Sequence, residues 1–385
     1  ALPICAGHAM VHALFEQCLK HNIDFISEYK TERECCAAAI KMARKAGYIS
    51  IDEARERSGK LRAGDKVYAD NCGKSLMLVQ VGELPMERGF NILGAHIDSP
   101  RLDIKQNPLY ESADFALLDT HYYGGIKKYQ WVTIPLELHG SVALKNGDVI
   151  DVCIGAEPDD PQFVITDLLP HLAADQMKKT MAEGIKGEGL NILIGSVPYA
   201  DDGTDRVKLA VLSLLHDDYG ITEEDFLSAE LMAVPSFPSR DIGFDRSMIG
   251  AYGHDDRVCA YAELRAIFDL DTPRRTAVCI LADKEEIGSE GVTGMKSRAF
   301  DTFMTDLCEA QGVALRRCYE KSFCLSADVC NGFDPNFPEV SEKRNEAKIN
   351  YGMGICKFTG ARGKSGTSDA SAEIVAYLRR LFARE

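Results

Sequence analysis

The feature that most constrains the fold is a change of texture along the chain. Both ends alternate helix and strand, whereas the middle alternates apolar and polar residues with a period of two. Near the start, Thr31-Glu32-Arg33-Glu34 is a capping box that opens an Ala-rich run to Lys45, with a stop at Gly47. Strand-like runs come next at Lys66–Ala69, Ser75–Gly82 and Phe90–Ala95, with a turn at Asn71-Cys72-Gly73-Lys74. From Phe115 to Gly155 helical periodicity fades, and the stretches Trp131–His139 and Val149–Ile154 flank the turn Lys145-Asn146-Gly147-Asp148. This β-rich character continues to about Asp245, with some helix around Val207–His216. Alternation then resumes: helix Asp255–Phe268, strand Thr276–Ala282, helix Arg298–Ala310, strand Ser322–Ala327 and an amphipathic helix Ser368–Ala383. The pattern predicts an α/β domain, residues 1–102 and 246–385, interrupted by a β-rich domain over residues 103–245. A length of 385 residues suits two cores rather than one.

Charge narrows the partners. With 44 basic against 59 acidic side chains the net charge is −15, which disfavours nucleic acid, whose phosphates need clustered Lys and Arg. No stretch approaches the roughly 20 apolar residues of a membrane span. The thirteen cysteines are odd in number and form no Cys-x-x-Cys pair, and several, such as Cys259 and Cys279, lie in apolar runs. Reduced thiols in a cytoplasmic protein are therefore expected.

Four clusters of chemistry-bearing residues fall at or near predicted strand ends, where open α/β sheets place their ligands. In His96-Ile97-Asp98 the two polar residues share a strand face, so Asp98 can orient the His96 imidazole; a satisfied strand-end pair is the plainer alternative. In His254-Asp255-Asp256-Arg257 a carboxylate could bridge two metals, or cap a helix beside a surface ion pair. Glu285-Glu286, directly after a buried strand, offers one metal ligand and one general base, although a charged loop has the same composition. Asp328 closes the strand Ser322–Ala327, as a turn residue often does. Together these supply the mixed imidazole and carboxylate set that suits Zn²⁺, and also Mn²⁺ or Co²⁺. No Gly-x-Ser-x-Gly elbow, Walker loop, dinucleotide fingerprint or His-Glu-x-x-His motif competes.

With these motifs in this order, the chain resembles the aspartyl aminopeptidase / vacuolar aminopeptidase I family of co-catalytic zinc exopeptidases, from about Thr31 onward. The resemblance rests on Gly94-Ala95-His96-Ile97-Asp98-Ser99-Pro100-Arg101-Leu102, Asp255-Asp256-Arg257, Glu285-Glu286-Ile287-Gly288-Ser289 and Ser326-Ala327-Asp328. It implies a mixed-sheet catalytic domain, an inserted β-rich dimerisation domain, and homo-oligomers, typically dodecamers built from dimers. By position it implies His96 and Asp328 on one zinc, Glu286 on a second, and Asp255 between them. Glu285 becomes the general base and Asp98 the orienter of His96. The implied reaction is hydrolysis of the first peptide bond of a substrate with a free N-terminus. His171 lies where the family supplies a substrate-contacting His, often to a neighbouring subunit; a structural His at a helix start is the alternative.

The pattern also departs from the family. Where the branch specific for acidic residues commonly carries two His after Ser-Ala-Asp, this chain has Asn331 and Asp334. A preference for acidic N-terminal residues therefore competes with a neutral or broad one. Lys357, Arg362 and Lys364 form a Gly-interrupted basic loop that could meet an acidic side chain, or face solvent or a subunit contact. The family's second metal takes a His from a Met-His segment beyond the last helix, whereas all nine histidines here lie at or before His254. The expectation is a shortened form of a longer enzyme, with a non-catalytic assembly subunit as the rival class.

Overall fold

In the computed structural model, which describes residues 20–57, 60–200, 202–349, 351–359 and 367–383, the capping box forms as read. Thr31 Oγ1 accepts the Glu34 amide at 3.2 Å, and Glu34 Oε2 accepts the Thr31 amide at 3.0 Å. The helix it opens, Glu32–Lys45, buries Cys35, Cys36, Ala38, Ala39 and Ala43.

Strands are numbered in chain order. One sheet combines β1 (Ile49–Ser50), β2 (Lys66–Asn71), β3 (Ser75–Gln80), β4 (Asn91–His96), β13 (Ala277–Ala282) and β14 (Phe323–Ser326), in the order β1-β2-β3-β13-β4-β14. The β2–β3 pair is an antiparallel hairpin whose turn residues Cys72 and Gly73 both have positive φ. β13 runs antiparallel to β3 but parallel to β4, and β14 is also parallel to β4, so the sheet is mixed. Both faces are covered, which explains the nearly continuous apolar text of β3 and β13. Leu76, Leu78, Cys279 and Leu281 pack on the side of helices Glu32–Lys45 and His254–Phe268. Met77, Val79, Val278 and Ile280 pack on the other, against Phe303, Met304 and Leu307 of helix Ala299–Ala310.

The second sheet is antiparallel throughout: β5 (Arg101–Ser112), β6 (Phe115–Tyr123), β7 (Leu136–Ala143), β8 (Val149–Ile154), β9 (Ile192–Gly195) and β10 (Ala229–Pro235), in the order β8-β7-β10-β5-β6-β9. It has its own core, including Leu102, Leu118, Leu136, Val152, Ile192 and Leu231, closed by Val207 of helix Arg206–Tyr219. β11 (Arg240–Ile242) and β12 (Met248–Gly250) form a separate hairpin. The α/β class with a β-rich middle is what the sequence predicts.

Local details differ from that prediction. The run Trp131–His139 becomes strand only from Leu136, because Lys128–Gln130 is a 3₁₀ turn and Pro135 precedes the ladder. The last helix spans Ala372–Phe382 rather than Ser368–Ala383, since Ser371 caps it by accepting the Ile374 amide.

Ion pairs join the start of helix Glu32–Lys45 to the second sheet. Lys30 Nζ lies 2.5 Å from Glu137 Oε1, His139 Nδ1 lies 2.5 Å from Glu34 Oε1, and Arg101 Nη1 lies 3.1 Å from Glu32 Oε2. The described residues divide into two compact units at Asp328/Val329, and both sheets lie in the first. In the second unit, bridges pair Gly332 with Ala347 and Phe358 with Asp369, and Leu378 of the helix is buried. Lys357 is exposed there, whereas Arg362 and Lys364 lie outside the described residues. Every described cysteine is free, and no described helix is long and apolar enough to cross a membrane.

Candidate metal centre

Three parallel strands deliver their carboxyl ends to one edge. β4 sits between β13 and β14, with His96 opposite Ala282 and Gly94 opposite Ser326. The next residues in each chain segment are Asp98, the Glu285-Glu286 pair, and Asp328. Helix His254–Phe268 packs beside β4, and its first turn brings in Asp255 and Asp256. Gly253, before that turn, has φ +70, and a Cβ there would fall 1.5 Å from Arg257 Nη2, so the entry needs glycine.

The acidic groups gather around one imidazole. His96 Nε2 lies 3.1 Å from Asp255 Oδ1, 3.9 Å from Glu285 Oε2 and 4.0 Å from Asp328 Oδ1. His96 is buried, while these three carboxylates are about half exposed, at 51%, 50% and 53%, which leaves the centre open on one side. Two trios have ligand atoms mutually within 4.8 Å: His96, Asp255 and Glu286; and His96, Asp256 and Asp328.

Asp98 organises the back of the site. Its carboxylate is fully buried and accepts the Glu285 amide at 3.1 Å, the Glu286 amide at 3.2 Å and the Tyr123 hydroxyl at 2.7 Å. His96 Nδ1 lies 2.9 Å from the Asp98 carbonyl oxygen and 3.3 Å from its Oδ1. With Nδ1–H donated to Asp98, Nε2 turns a lone pair toward carboxylate oxygens, and only a proton or a metal cation can sit between them. Burial alone would lower the His96 pKa, but Asp255 and Asp98 outweigh it and push it up to about 11. Burial opposes ionisation of Asp98 too, yet hydrogen bonds from His96 and Tyr123 hold its pKa below the usual value.

The remaining acids repel one another. Burial, then the neighbouring Asp255 charge, raises Glu286 to about 7, and burial first also raises Glu285. Asp256 is fully buried and raised to about 6 by burial. The Cys259 thiol and His96 backbone approach it, but neither closes a hydrogen bond to its oxygens. An orphaned buried carboxylate beside an outward-facing Nε2 is a donor set fitted to a borderline divalent ion such as Zn²⁺.

The structure thus brings His96, Asp98, Asp255, Glu285, Glu286 and Asp328 together. The glutamates stand on a single 3₁₀ turn, Glu285–Ile287, between Lys284 and Gly288 at positive φ, rather than on irregular loop. Arg257 is no surface ion-pair partner: it is buried and donates to the Lys30 and Tyr252 carbonyls at 2.6 and 2.8 Å. His171 is exposed in a run of turns and belongs to neither trio. The sequence motifs assign no role to Asp256 or Tyr123. The adjacency Asp255-Asp256 is a visible signal for the first, whereas Tyr123 carries none.

The fold and site define a metallopeptidase. Residues 25–383 match the family of aminopeptidase I zinc metalloproteases (M18). A probable M18 family aminopeptidase 1 from Clostridium acetobutylicum is 50% identical over 367 residues, covering 94% of this chain and 79% of the relative. The crystal structure of an M18 family aminopeptidase from Thermotoga maritima aligns with a TM-score of 0.91 at 41% identity, over 96% of this chain and 81% of that one. The Saccharomyces cerevisiae mApe1 dodecamer shares the fold, with a TM-score of 0.74 at 21% identity over 95% and 83% of the two chains. The chain belongs to the M18 family and is a metalloaminopeptidase, a hydrolase of peptide bonds.

Proposed function

We propose that this aminopeptidase removes the N-terminal residue of peptides at a two-ion zinc centre, with Mn²⁺ or Co²⁺ as substitutes. The observation that carries this is the convergence of half-exposed carboxylates from separate chain segments on the buried His96 Nε2. In this assignment His96 and Asp328 would hold one ion, Glu286 the other, and Asp255 would be shared between them. When bound, the ions polarise the scissile carbonyl and offset charge developing on its oxygen. Glu285 takes the proton of the attacking water and returns it to the leaving amine; burial raises its pKa, the direction a base working near neutrality requires. Asp98 keeps the His96 imidazole in one tautomer.

The proposal extends to assembly. The second sheet is assigned as the inserted dimerisation domain, and homo-oligomers, up to a dodecamer built from dimers, agree with the dodecameric fold relative. Leu168, Leu169 and Leu172 are exposed beside His171, which suits a segment that meets a neighbouring subunit and places His171 at its substrate. Free cysteines fit a cytoplasmic setting. For the first substrate residue, acidic and neutral side chains are rivals, and kcat/KM on aspartyl, glutamyl and leucyl anilides orders them.

Glu285→Gln tests the mechanism. Loss of the general base should lower kcat about 10²-fold or more while metal content stays at wild-type level. Surviving activity with metal bound would overturn the assignment. An intact oligomer that binds no ion and hydrolyses no anilide would favour the assembly-subunit alternative.

A further inference from the structure

We infer that Tyr123 is a positioning residue of the metal centre, acting through Asp98 from the end of β6 in the second sheet; this rests on the two-ion assignment above. Asp98 meets His96 through its carbonyl oxygen at 2.9 Å and its Oδ1 at 3.3 Å, and its carboxylate accepts the backbone amides of both glutamates, so a shift of Asp98 reaches a metal ligand and the general base together. The amides of Glu285 and Glu286 and the His96 imidazole all approach it from the first sheet. Its contact from the second sheet is the Tyr123 hydroxyl, at 2.7 Å.

That hydroxyl is itself held firmly. Tyr123 is 7% exposed, and the Arg101 guanidinium stacks over its ring at 3.9 Å. Arg101 is fixed in turn by Asp103 at 2.7 Å and by the buried Glu32 at 3.1 Å. Arg101 and Tyr123 are paired across the β5–β6 ladder, which sets their side chains together. The next residue closes the corner against the site: a Cβ on Gly124 would lie 3.4 Å from Glu286 Cβ. Support of this kind around metal ligands alters metal affinity by about 10- to 100-fold when removed. The geometry therefore makes the second sheet part of the catalytic apparatus.

The test is Tyr123→Phe in the full chain, which keeps the ring beneath Arg101 and deletes one oxygen. Metal affinity is read by chelator competition with Zn²⁺, and ligand geometry by the visible spectrum of the Co²⁺-loaded protein. We expect metal affinity to fall about tenfold, the Co²⁺ bands to shift, and kcat to drop with KM within about twofold. In an Asp98→Asn background the same substitution should have no further effect on affinity. Wild-type values in Tyr123→Phe, or an undiminished effect in the Asp98→Asn background, would overturn the inference. So would a Tyr123→Phe chain that fails to fold, because the hydroxyl would then serve the fold and not the centre. If wild-type protein binds no ion, or His96→Ala binds as well as wild type, the metal-centre assignment itself is wrong.

Discussion

Two buried histidines in this molecule sit in carboxylate cages, and only one cage has the character of a reactive site. His96 and His139 are both pushed up to about 11, each against the opposing effect of burial. Each also belongs to a trio with metal-ligand spacing, the second being Glu34, His139 and Cys153. The difference lies in how the acids are already satisfied. Around His139, Glu137 is paired with Lys30 at 2.5 Å, and Glu34 Oε2 accepts the Lys30 and Thr31 amides at a helix start. Around His96, none of Asp98, Asp255, Asp256, Glu285 and Glu286 forms an ion pair with Lys or Arg among the described residues. One cage is a neutralised seam between a helix start and the second sheet, and the other is an excess of negative charge open to solvent. A raised imidazole pKa marks both and distinguishes neither; uncompensated carboxylates do.

Exchanging each histidine for alanine is the strongest way to break this contrast. His96→Ala should lose bound metal and reduce anilide hydrolysis to background. His139→Ala should do the reverse, destabilising the fold by about 3 kcal/mol, as removal of one member of a buried ionic network does. Metal per subunit by atomic emission and unfolding of the apo-protein separate the outcomes. Metal loss in His139→Ala would move the seam into the functional class.

The two cages are unequally legible in the sequence. His96, Glu286 and Asp328 stand where apolar runs end in charge, and strand periodicity alone places them at one sheet edge. The capping role of Glu34 is equally plain, because its partner Thr31 is three residues away. Its second partner, His139, is 105 residues distant on a strand of the second sheet, and no local pattern announces it. Asp256 is signalled only by its adjacency to Asp255: both have non-helical φ/ψ, so helical spacing does not say which acid faces the site. β5 is hard to read because Asn107-Pro108 interrupts its text, and the structure absorbs them in a register shift between Ile104 and Leu109. Residues that act through sequence neighbours are readable, whereas contacts between distant segments depend on topology.

A smaller effect sharpens the contrast through pH. His139 has a folded pKa near 11 against 6.5 for a free imidazole, so its stabilising contribution is complete below about pH 6.5 and fades as pH rises toward 11. Glu34 shifts the other way, lowered from 4.5 by His139 and by the Lys30 and Thr31 amides against the pull of burial, so its contribution is lost as pH falls below that range. Glu137, Lys30 and Cys153 are the other titratable groups at this imidazole. The melting-temperature gap between wild type and His139→Gln should therefore be widest near pH 5.5 and narrow steadily toward pH 9. A gap that widens with alkaline pH would mean His139 is neutral in the folded chain.

The smallest expected effect is at Cys153, the third member of the seam trio. Its Sγ is 4.0 Å from His139 Nε2, and the residue is exposed on β8. Glu137 Oε1 already occupies the same nitrogen at 3.0 Å, and Lys30 sits behind it, so an added dication would meet a charge that is present. Cys153→Ala should change stability by no more than about 0.5 kcal/mol, as exposed substitutions do, and leave metal content and kcat/KM at wild-type values. A drop of one ion per subunit in Cys153→Ala would show that the seam competes for metal after all. Spacing of ligand atoms would then outweigh charge balance in deciding which cage binds.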